Sequence, residues 1–301
     1  MATTRNCPVC DTPPGKAEVF LEENIDQSRI TGLSFASRKE PEYMCHRFMR
    51  CPTCDLVYVD APPSQDALAQ AYHQADYDSA EEGNDAAAAY IHAIRSVLAR
   101  LPERKRALEI GTGTAVFLER LKNEGFAELV GVEPSVQAIA SAPEHRKPWI
   151  REGIFVESDF EPASFDLICC FMTMEHVLDP KSVSDAALRL LKPGGAFVTV
   201  THDYTSWVNR VLGKKSPIID IEHMQLFSTK SISYLFRTSG LVDVQAERFA
   251  NRYSLRYWAR LLPLPQALKS RIGAFLSGNA LGRQKLSFNV GNTIAAGYRK
   301  V

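Results

Sequence analysis

The sequence predicts a doubly wound α/β domain with a mostly parallel sheet, preceded by a small cysteine-rich unit. Short apolar segments alternate with segments of helical periodicity through most of the 301 residues, as in βαβ folds. The stretch 107–121 has the pattern of a buried strand, a glycine turn and the start of a helix, the arrangement that binds nucleotide-like ligands. Two Cys-x-x-Cys pairs lie in the first 54 residues.

The cysteine pairs are Cys7 with Cys10 and Cys51 with Cys54, and each forms a tight turn that brings two sulfurs together. Four thiolates are the ligand set of structural zinc, so residues 1–62 are predicted to form a zinc ribbon. Forty residues separate the pairs, more than the usual roughly 15–20, and an insertion in the outer hairpin would explain the excess. The alternative is two unrelated thiol pairs. A closed four-sulfur site leaves no position for chemistry, so the expected role is folding or docking.

The number of cysteines and the distribution of charge limit where the protein works and what it binds. Seven cysteines, two paired motifs and no signal peptide argue against a disulfide framework, so a cytoplasmic location is expected. No apolar run approaches the roughly 20 residues of a membrane span. Net charge is zero, but residues 248–301 contain ten Lys or Arg and no Asp or Glu. This basic tail predicts an anionic partner.

The βαβ pattern begins after a predicted helix over residues 85–101. Glu109 ends the first strand and Glu133 the second, 24 residues later, which is one βαβ unit with an acid at the tip of its second strand. Such an acid can accept hydrogen bonds from both hydroxyls of a ribose. The further predicted strands are 149–156, 165–171, 196–201, 241–249 and 293–299, and the further predicted helices are 116–121, 181–191 and 229–240.

Two common nucleotide motifs are absent from the glycine turn. A dinucleotide fingerprint needs a third glycine three residues after the second, and Val116 stands there instead. No Lys-Ser or Lys-Thr pair follows, as a phosphate loop would require. The glycine turn follows an acid and has no cation beside it, which suits a ligand without phosphate.

Four segments of this domain stand in a familiar order and spacing: LEIGTGTAVFL, VGVEPS, FDLICCFMTMEHVLDP and LKPGGAFVTVT. On these motifs, residues 85–249 resemble the class I S-adenosylmethionine-dependent methyltransferases. The resemblance implies a seven-stranded Rossmann-like sheet whose last two strands form a hairpin. Residues 63–301 would form the methyltransferase domain, with a basic insertion at about 250–288. The ribbon looks like the zinc-binding segment of similar sugar, polysaccharide and secondary-metabolite methyltransferases.

The resemblance also implies which residues bind the cofactor. Glu109 and the turn would contact its methionine part and ribose, Glu133 would hold the ribose hydroxyls, and residues 155–159 would flank the adenine. Tyr72 matches an aromatic position that closes over the cofactor in similar enzymes, and Thr173 would lie beneath it. The implied set is Glu109, Gly111, Thr112, Gly113, Glu133, Pro134, Asp159, Met172 and Tyr77.

Three histidines, His176, His202 and His223, follow the carboxyl ends of strands. Methyl transfer needs aligned reactants and, for some acceptors, a base that removes a proton. Histidine titrates near pH 6.5 and suits that task. His202 or His223 is therefore the predicted base, with Asp203 and Tyr204 shaping the pocket; a surface or capping role is the alternative. His176 is expected to pack beside the cofactor.

The basic tail carries Arg252, Arg256 and Arg260 at i, i+4 and i+8, interleaved with aromatic residues. On a helix they would grip a phosphorylated acceptor, such as a nucleotide-linked or lipid-linked sugar, or lie on an anionic membrane. The alternative is a solvated basic helix face.

These observations favour an enzyme that methylates a small-molecule or sugar-like acceptor at oxygen or carbon. An RNA methyltransferase that uses the ribbon for binding is less favoured, because residues 1–60 have no strong basic excess. A third possibility is a non-catalytic module that binds the cofactor and docks a partner through the ribbon.

Overall fold

The computed structural model describes residues 4–36, 42–77, 80–262 and 264–301. The strands are β1 (Glu18–Leu21), β2 (Phe48–Arg50), β3 (Val57–Val59), β4 (Arg106–Ile110), β5 (Glu128–Glu133), β6 (Ile150–Glu152), β7 (Phe165–Phe171), β8 (Leu191–His202), β9 (Gln225–Leu226), β10 (Val242–Ser254) and β11 (Lys285–Tyr298). The α-helices are α1 (Gln65–His73), α2 (Ala80–Ala93), α3 (Arg95–Arg100), α4 (Val116–Asn123), α5 (Val136–Ser141), α6 (Pro180–Leu190), α7 (Trp207–Leu212), α8 (Thr229–Thr238), α9 (Leu255–Leu261) and α10 (Gln266–Ser277).

The larger sheet has seven strands in the order β10-β11-β8-β7-β4-β5-β6. The five strands from β4 to β8 are parallel, and β11 pairs antiparallel with both β8 and β10. This confirms the predicted fold class, including the final hairpin. The chain turns from one side of β4 to the other between β5 and β7, so a crevice opens at the carboxyl ends of these strands.

Helices cover the sheet because their apolar stripes match the helical period. On α4 the buried side chains are Val116, Phe117, Leu118 and Leu121, the spacing of one helix face. Helix α6 starts at Pro180, a favourable first residue, after Asp179 accepts the Ser182 N–H as the N-cap. These local signals set the helix ends and so fix where the crevice loops begin.

Four strands differ in extent from the sequence predictions. Strand β6 covers only Ile150–Glu152, and β8 begins at Leu191 rather than 196. The β8 extension runs close beside β7, since a Cβ at Gly195 would lie 3.1 Å from both the Phe165 and Asp166 carbonyl oxygens. Strands β10 and β11 pair as far as Ser254 and Lys285, well beyond the predicted hairpin.

The smaller sheet joins the ribbon to the rest of the protein. Its order is β1-β2-β3-β9, so the fourth strand comes from the second half of the chain. At the same junction the Tyr204 hydroxyl donates to the Asp55 carbonyl, and the Ser228 hydroxyl donates to the Asp55 carboxylate at 2.8 Å. The ribbon is therefore packed into the domain, and the division at residue 62 stays a prediction.

The basic tail differs from its prediction. Arg252 lies on β10, while Arg256 and Arg260 lie on α9, so the three arginines do not share a helix face. The prediction of an i, i+4, i+8 basic face is wrong because strand pairing with β11 continues through Arg252. The interleaved Tyr257 and Trp258 are buried.

No helix among the described residues is long and apolar enough to cross a membrane.

Candidate active site

A cavity of about 850 Å³ opens at the carboxyl ends of β4, β5, β7 and β8. It is lined by nearly all of the residues that the sequence put forward for binding or catalysis. These are Tyr72, Tyr77, Glu109, Gly111, Thr112, Gly113, Glu133, Pro134, Met172, Thr173, His176, His202 and His223. One cavity therefore joins the glycine turn to the histidine loops, while the role of each residue stays a prediction.

The glycine turn is shaped by its two glycines. Gly111 has a φ of +76°, and a Cβ there would lie 2.1 Å from the Thr173 Oγ1. Gly113 has a φ of +55°, and a Cβ there would meet nothing within 4 Å. Gly111 therefore lets β4 and the loop after β7 approach closely, and Gly113 leaves backbone open to the cavity.

Two buried carboxylates flank this turn. Glu133 accepts the Gly113 N–H at 2.7 Å through one oxygen and the Ser135 N–H at 2.9 Å through the other. Burial raises the pKa of Glu133, and these two hydrogen bonds oppose that shift. Each oxygen keeps a further lone pair, so the carboxylate can still accept two ribose hydroxyls. Glu109 accepts the Thr112 hydroxyl at 2.6 Å.

Asp159 is the member of the predicted cofactor set that does not line the cavity. It is exposed on a short 3₁₀ helix, Glu157–Asp159, and its carbonyl accepts Arg151 at 3.1 Å. The cavity edge is formed earlier in this segment, by Gly153, Ile154 and Phe155, because β6 ends at Glu152. The side chain at 159 is thus placed outside the site, and the predicted adenine segment reaches the cavity only through Phe155.

Met172 follows β7 and has a φ of +51°, a strained value for a residue with a side chain. Its N–H donates to the Val200 carbonyl at 2.8 Å, which holds the strained residue against β8. The Thr173 hydroxyl donates to the Phe171 carbonyl at 3.0 Å. This loop forms the boundary between the glycine turn and the histidines.

The three histidines meet in one cluster on the other side of that boundary. The His223 ring centre lies 4.9 Å from that of His176 and 5.4 Å from that of His202. The Nδ1 of His223 lies 2.8 Å from the Ile218 carbonyl, so this nitrogen carries the proton and Nε2 carries the lone pair. The Nδ1 of His202 is 3.1 Å from the Asn292 Oδ1, and burial lowers the pKa of His202 to about 4.

Tyr72 connects α1 to this cluster. Its hydroxyl donates to the Glu222 carbonyl at 3.0 Å and lies 3.0 Å from the His176 Nδ1. Burial, followed by the nearby carboxylates of Glu222, Asp220 and Glu175, raises the pKa of Tyr72 well above its ordinary value. Tyr72 thus lies among the histidines, in a region of negative potential.

Two residues expected to shape the pocket lie elsewhere. Asp203 is fully buried and accepts the Arg248 guanidinium at 3.1 Å, and Tyr204 donates to the ribbon. Neither lines the cavity, so that expectation is wrong. The strand end turns both side chains toward the packing interface with the tail and the ribbon.

Sequence reasoning missed the outer wall of the cavity. It is apolar and aromatic, and it consists of Trp207, Val208, Val211, Leu212, Tyr253, Tyr257, Trp258, Leu261, Leu262 and Phe288. Trp207 is 72% exposed and Val211 75% exposed, although both reach the cavity. Among the described residues the lining contains no Lys or Arg. The aromatic residues inside the basic tail were the available signal, since isolated aromatics in a charged segment mark a buried or binding face.

The four cysteines of the ribbon form a separate cluster. The Cys7 and Cys54 sulfurs are 3.5 Å apart and those of Cys10 and Cys51 are 3.4 Å apart. All four sulfurs lie within 4.8 Å of one another. Zn–S bonds of about 2.3 Å in a tetrahedron place sulfurs roughly 3.8 Å apart, so this donor set fits a zinc ribbon. None of the four lines the large cavity.

Comparison with known proteins adds to this geometry. A sequence profile described as a methyltransferase domain matches residues 81–246. Two similar curated proteins are the ubiquinone biosynthesis O-methyltransferases of Pectobacterium carotovorum, 28% identical over 117 residues, and Idiomarina loihiensis, 33% identical over 112 residues. These matches cover 36% and 35% of this chain and 48% and 46% of the relatives, so the chain spans about half of their length.

Two solved structures are also similar. A methyltransferase of Thermotoga maritima, described as a possible histamine N-methyltransferase, has 22% identity and a TM-score of 0.48, over 72% of this chain and 91% of its own. A Haloferax volcanii complex of the Trm112 activator with a methyltransferase gives 19% identity and a TM-score of 0.48, over 78% and 96%.

The matched profile covers more than half of the chain and includes β4, the glycine turn and Glu133. The sheet order and the four-cysteine cluster agree with the resemblance that the motifs carry. The protein therefore belongs to the class I S-adenosylmethionine-dependent methyltransferases, with a four-cysteine ribbon at its N-terminus.

Proposed function

We propose that the protein transfers a methyl group from S-adenosylmethionine to a hydroxyl group of a small molecule held in the outer half of the cavity. The observation that carries this proposal is the single cavity that contains both the glycine turn and the histidine cluster. Two similar proteins are named O-methyltransferases, which favours oxygen as the methylated atom over carbon.

The glycine turn and Glu133 would hold the cofactor. The open space beside Gly113 gives room for close approach, and Glu133 offers lone pairs to ribose hydroxyls. Glu109 adds a buried carboxylate near the positively charged methionine part. When bound, S-adenosylmethionine supplies an electrophilic methyl carbon on a sulfonium, whose C–S electron pair stays with sulfur on transfer.

His202 or His223 would take the proton of the acceptor hydroxyl. Each has its Nδ1 against an oxygen, so each presents Nε2 as the unprotonated nitrogen. The acceptor O–H bond breaks, its proton moves to one imidazole, and the oxygen lone pair forms the new bond to carbon. Moving the proton to the imidazole avoids a positively charged oxonium product, and the hydrogen bond to the imidazole helps to align the acceptor oxygen.

The lining favours an acceptor with an uncharged aromatic or apolar body. The outer wall is built from aromatic and aliphatic side chains, and the described lining has no cation to pair with a phosphate. A nucleotide-linked or phosphorylated sugar is the second candidate. Its phosphates would have to lie at the mouth, where Lys214 and Lys215 follow α7.

The same mouth supports peripheral contact with an anionic membrane. Trp207 and Val211 are largely exposed on α7, and the exposed Lys214 and Lys215 follow this helix in the chain, so apolar surface and positive charge occur in one short segment. Pelleting with liposomes of anionic and of neutral lipid tests this contact. Equal recovery in the supernatant with both would contradict it.

We propose that the ribbon binds one structural zinc and that the protein works in the reducing cytoplasm. Four cysteine sulfurs gathered as thiolates suit a compartment that keeps thiols reduced. The ribbon would then serve folding rather than chemistry, because four protein ligands leave no open position.

Labelled S-adenosylmethionine and a panel of hydroxylated aromatic, prenylated and sugar acceptors test the proposed activity. Transfer to an aromatic hydroxyl in the wild type, and a loss of about 10²–10⁴-fold in His202→Gln or His223→Gln at saturating cofactor, is the expected result. Wild-type rates in both variants would show that neither His202 nor His223 is the base. Labelling of RNA but of no small molecule would favour the RNA alternative, and cofactor binding without turnover would favour a docking module.

A further inference from the structure

We propose that His176, Glu222 and His223 form a second metal site, which holds a divalent transition-metal ion inside the cavity. One ring nitrogen of each histidine and one carboxylate oxygen of Glu222 lie within 4.8 Å of one another. All three residues line the cavity. Two imidazoles and a carboxylate are a ligand set that suits zinc, cobalt, iron and similar ions.

The first supporting observation is the hydrogen bond behind His223. Its Nδ1–H donates to the Ile218 carbonyl at 2.8 Å, which fixes the ring orientation and the tautomer, so Nε2 is the nitrogen that would ligate an ion. Metal-ligating histidines commonly donate their second nitrogen to a carbonyl in this way, because the bond fixes the tautomer and makes the ligand more basic.

The second supporting observation is the charge around the cluster. Glu222 is 9% exposed and Asp220 2% exposed. The carboxylates of both residues act on the Tyr72 hydroxyl, which itself contacts Glu222 and His176. Two carboxylates in a low-dielectric region favour a cation there.

The position of the site decides what the ion would do. Three protein ligands leave coordination positions open toward the cavity, as in catalytic rather than structural metal sites. An acceptor hydroxyl bound at an open position loses its proton more easily, because the ion stabilises the oxygen anion. His202, whose ring lies 5.4 Å from that of His223, would then receive that proton.

This role in the reaction rests on the proposed methyl transfer, but metal binding can be measured without it. The full chain is purified with zinc in its ribbon and titrated with Co²⁺ while visible absorption and metal content are recorded. We expect one further equivalent of cobalt per chain. Its spectrum should lack thiolate-to-cobalt charge transfer, since the cluster contains no sulfur ligand.

Two variants and a matched control test the ligands. Glu222→Gln keeps the size of the side chain, and His223→Asn keeps an N–H donor near the Ile218 carbonyl. Each should weaken Co²⁺ binding at the second site by about 100-fold or more. His145→Ala removes a histidine that pairs with Glu119 on the surface and should bind cobalt as the wild type does. Binding of a single metal equivalent by the wild type, or unchanged binding in both ligand variants, would overturn the proposal.

The activity measurements separate this inference from the proposed function. If protein that holds only the ribbon metal transfers methyl groups at the full rate, the second ion has no role in the reaction. The proposed transferase function would be unaffected by that result. A second cobalt equivalent in a protein that methylates no acceptor would keep the metal site and reject the proposed function.

Discussion

The two halves of the cavity are built in different ways. The glycine-turn half comes from β4, β5 and the loops that directly follow them, within about 25 consecutive residues. The histidine half gathers Tyr72, His176, His202, Glu222 and His223 from four separate segments. Its residues are held by contacts over long sequence distances, such as that between Tyr72 and Glu222.

One short stretch of sequence encodes the glycine-turn half, whereas the histidine half forms only when distant segments of the chain fold together. In the first half, the backbone N–H groups of Gly113 and Ser135 fix Glu133 locally. In the second half, the loop that carries His223 continues into β9, which pairs with the ribbon. The glycine-turn half should therefore tolerate damage to the ribbon, and the histidine half should not.

Loss of the ribbon metal should have the largest effect. Cys54→Ser removes one of four thiolates, and structural zinc can contribute on the order of 10 kcal/mol to folding. We expect zinc content and methyl transfer to be lost, while cofactor affinity falls less than about tenfold, because β9, the strand that pairs with the ribbon, follows the histidine loop and not the glycine turn. Zinc analysis, calorimetric titration with cofactor and an activity assay measure the three quantities.

Cys45→Ala is the control for that prediction, because Cys45 is buried within the ribbon segment but outside the four-cysteine cluster. It should retain zinc and activity. Equal loss of cofactor binding and of transfer in Cys54→Ser would show that the two halves are not separable.

Glu133→Ala should produce the converse result. Removing the carboxylate leaves the Gly113 and Ser135 N–H groups without this acceptor and removes the proposed ribose ligand, so we expect a loss of about 3 kcal/mol or roughly 100-fold in cofactor affinity. Cobalt binding at the histidine cluster should stay within about twofold of the wild type. A large change in both would contradict the separation of the halves.

Gly111→Ala tests the close approach between the halves. The new Cβ would lie 2.1 Å from the Thr173 Oγ1, and with the positive φ this should lower the free energy of unfolding by about 2–4 kcal/mol. Gly113→Ala is the matched control, since its φ is also positive but its Cβ would enter open space. Gly113→Ala should lower the free energy of unfolding by about 1 kcal/mol. Equal thermal shifts in the two variants would reject the steric argument.

Glu133→Gln should have the smallest effect, because two changes in stability oppose each other. Burial raises the pKa of Glu133, so its contribution to stability is full below pH 4.5 and is lost as the pH rises through the raised folded value. The amide removes the buried charge at pH 8, but its nitrogen cannot accept the Gly113 or the Ser135 N–H, so the unfolding temperature at pH 8 should change little while cofactor binding weakens by about 1 kcal/mol. The variant should also lack the fall in cofactor affinity that acid causes in the wild type. An acid-induced fall equal to that of the wild type would contradict this account.

The features that could be predicted from the sequence are those that local rules determine. The strand–turn–helix at 107–121 has its own periodicity and glycines, and Glu133 follows by one βαβ unit. The ribbon cysteines were recognisable from spacing alone, although β9 was not, because two residues carry no strand signal of their own. The fold class followed from the alternation of apolar and helical segments.

The remaining errors share one physical cause, which is that tertiary contacts override local preference. Arg252 has helical spacing to Arg256, but pairing with β11 keeps it in a strand. Tyr204 follows a strand end that faces the site, yet its hydroxyl finds the Asp55 carbonyl in the ribbon. The meeting of His176 with His223 depends on two loops whose separation in sequence says nothing about their distance in space.

The pairing of β3 with β9 also constrains how this protein can fold during synthesis. The edge of the ribbon that accepts β9 emerges early from the ribosome, and β9 emerges only after most of the central sheet. Until then that edge exposes unpaired backbone groups, which are a template for aggregation. The order of synthesis therefore leaves the nascent ribbon with an exposed strand edge until β9 has been made.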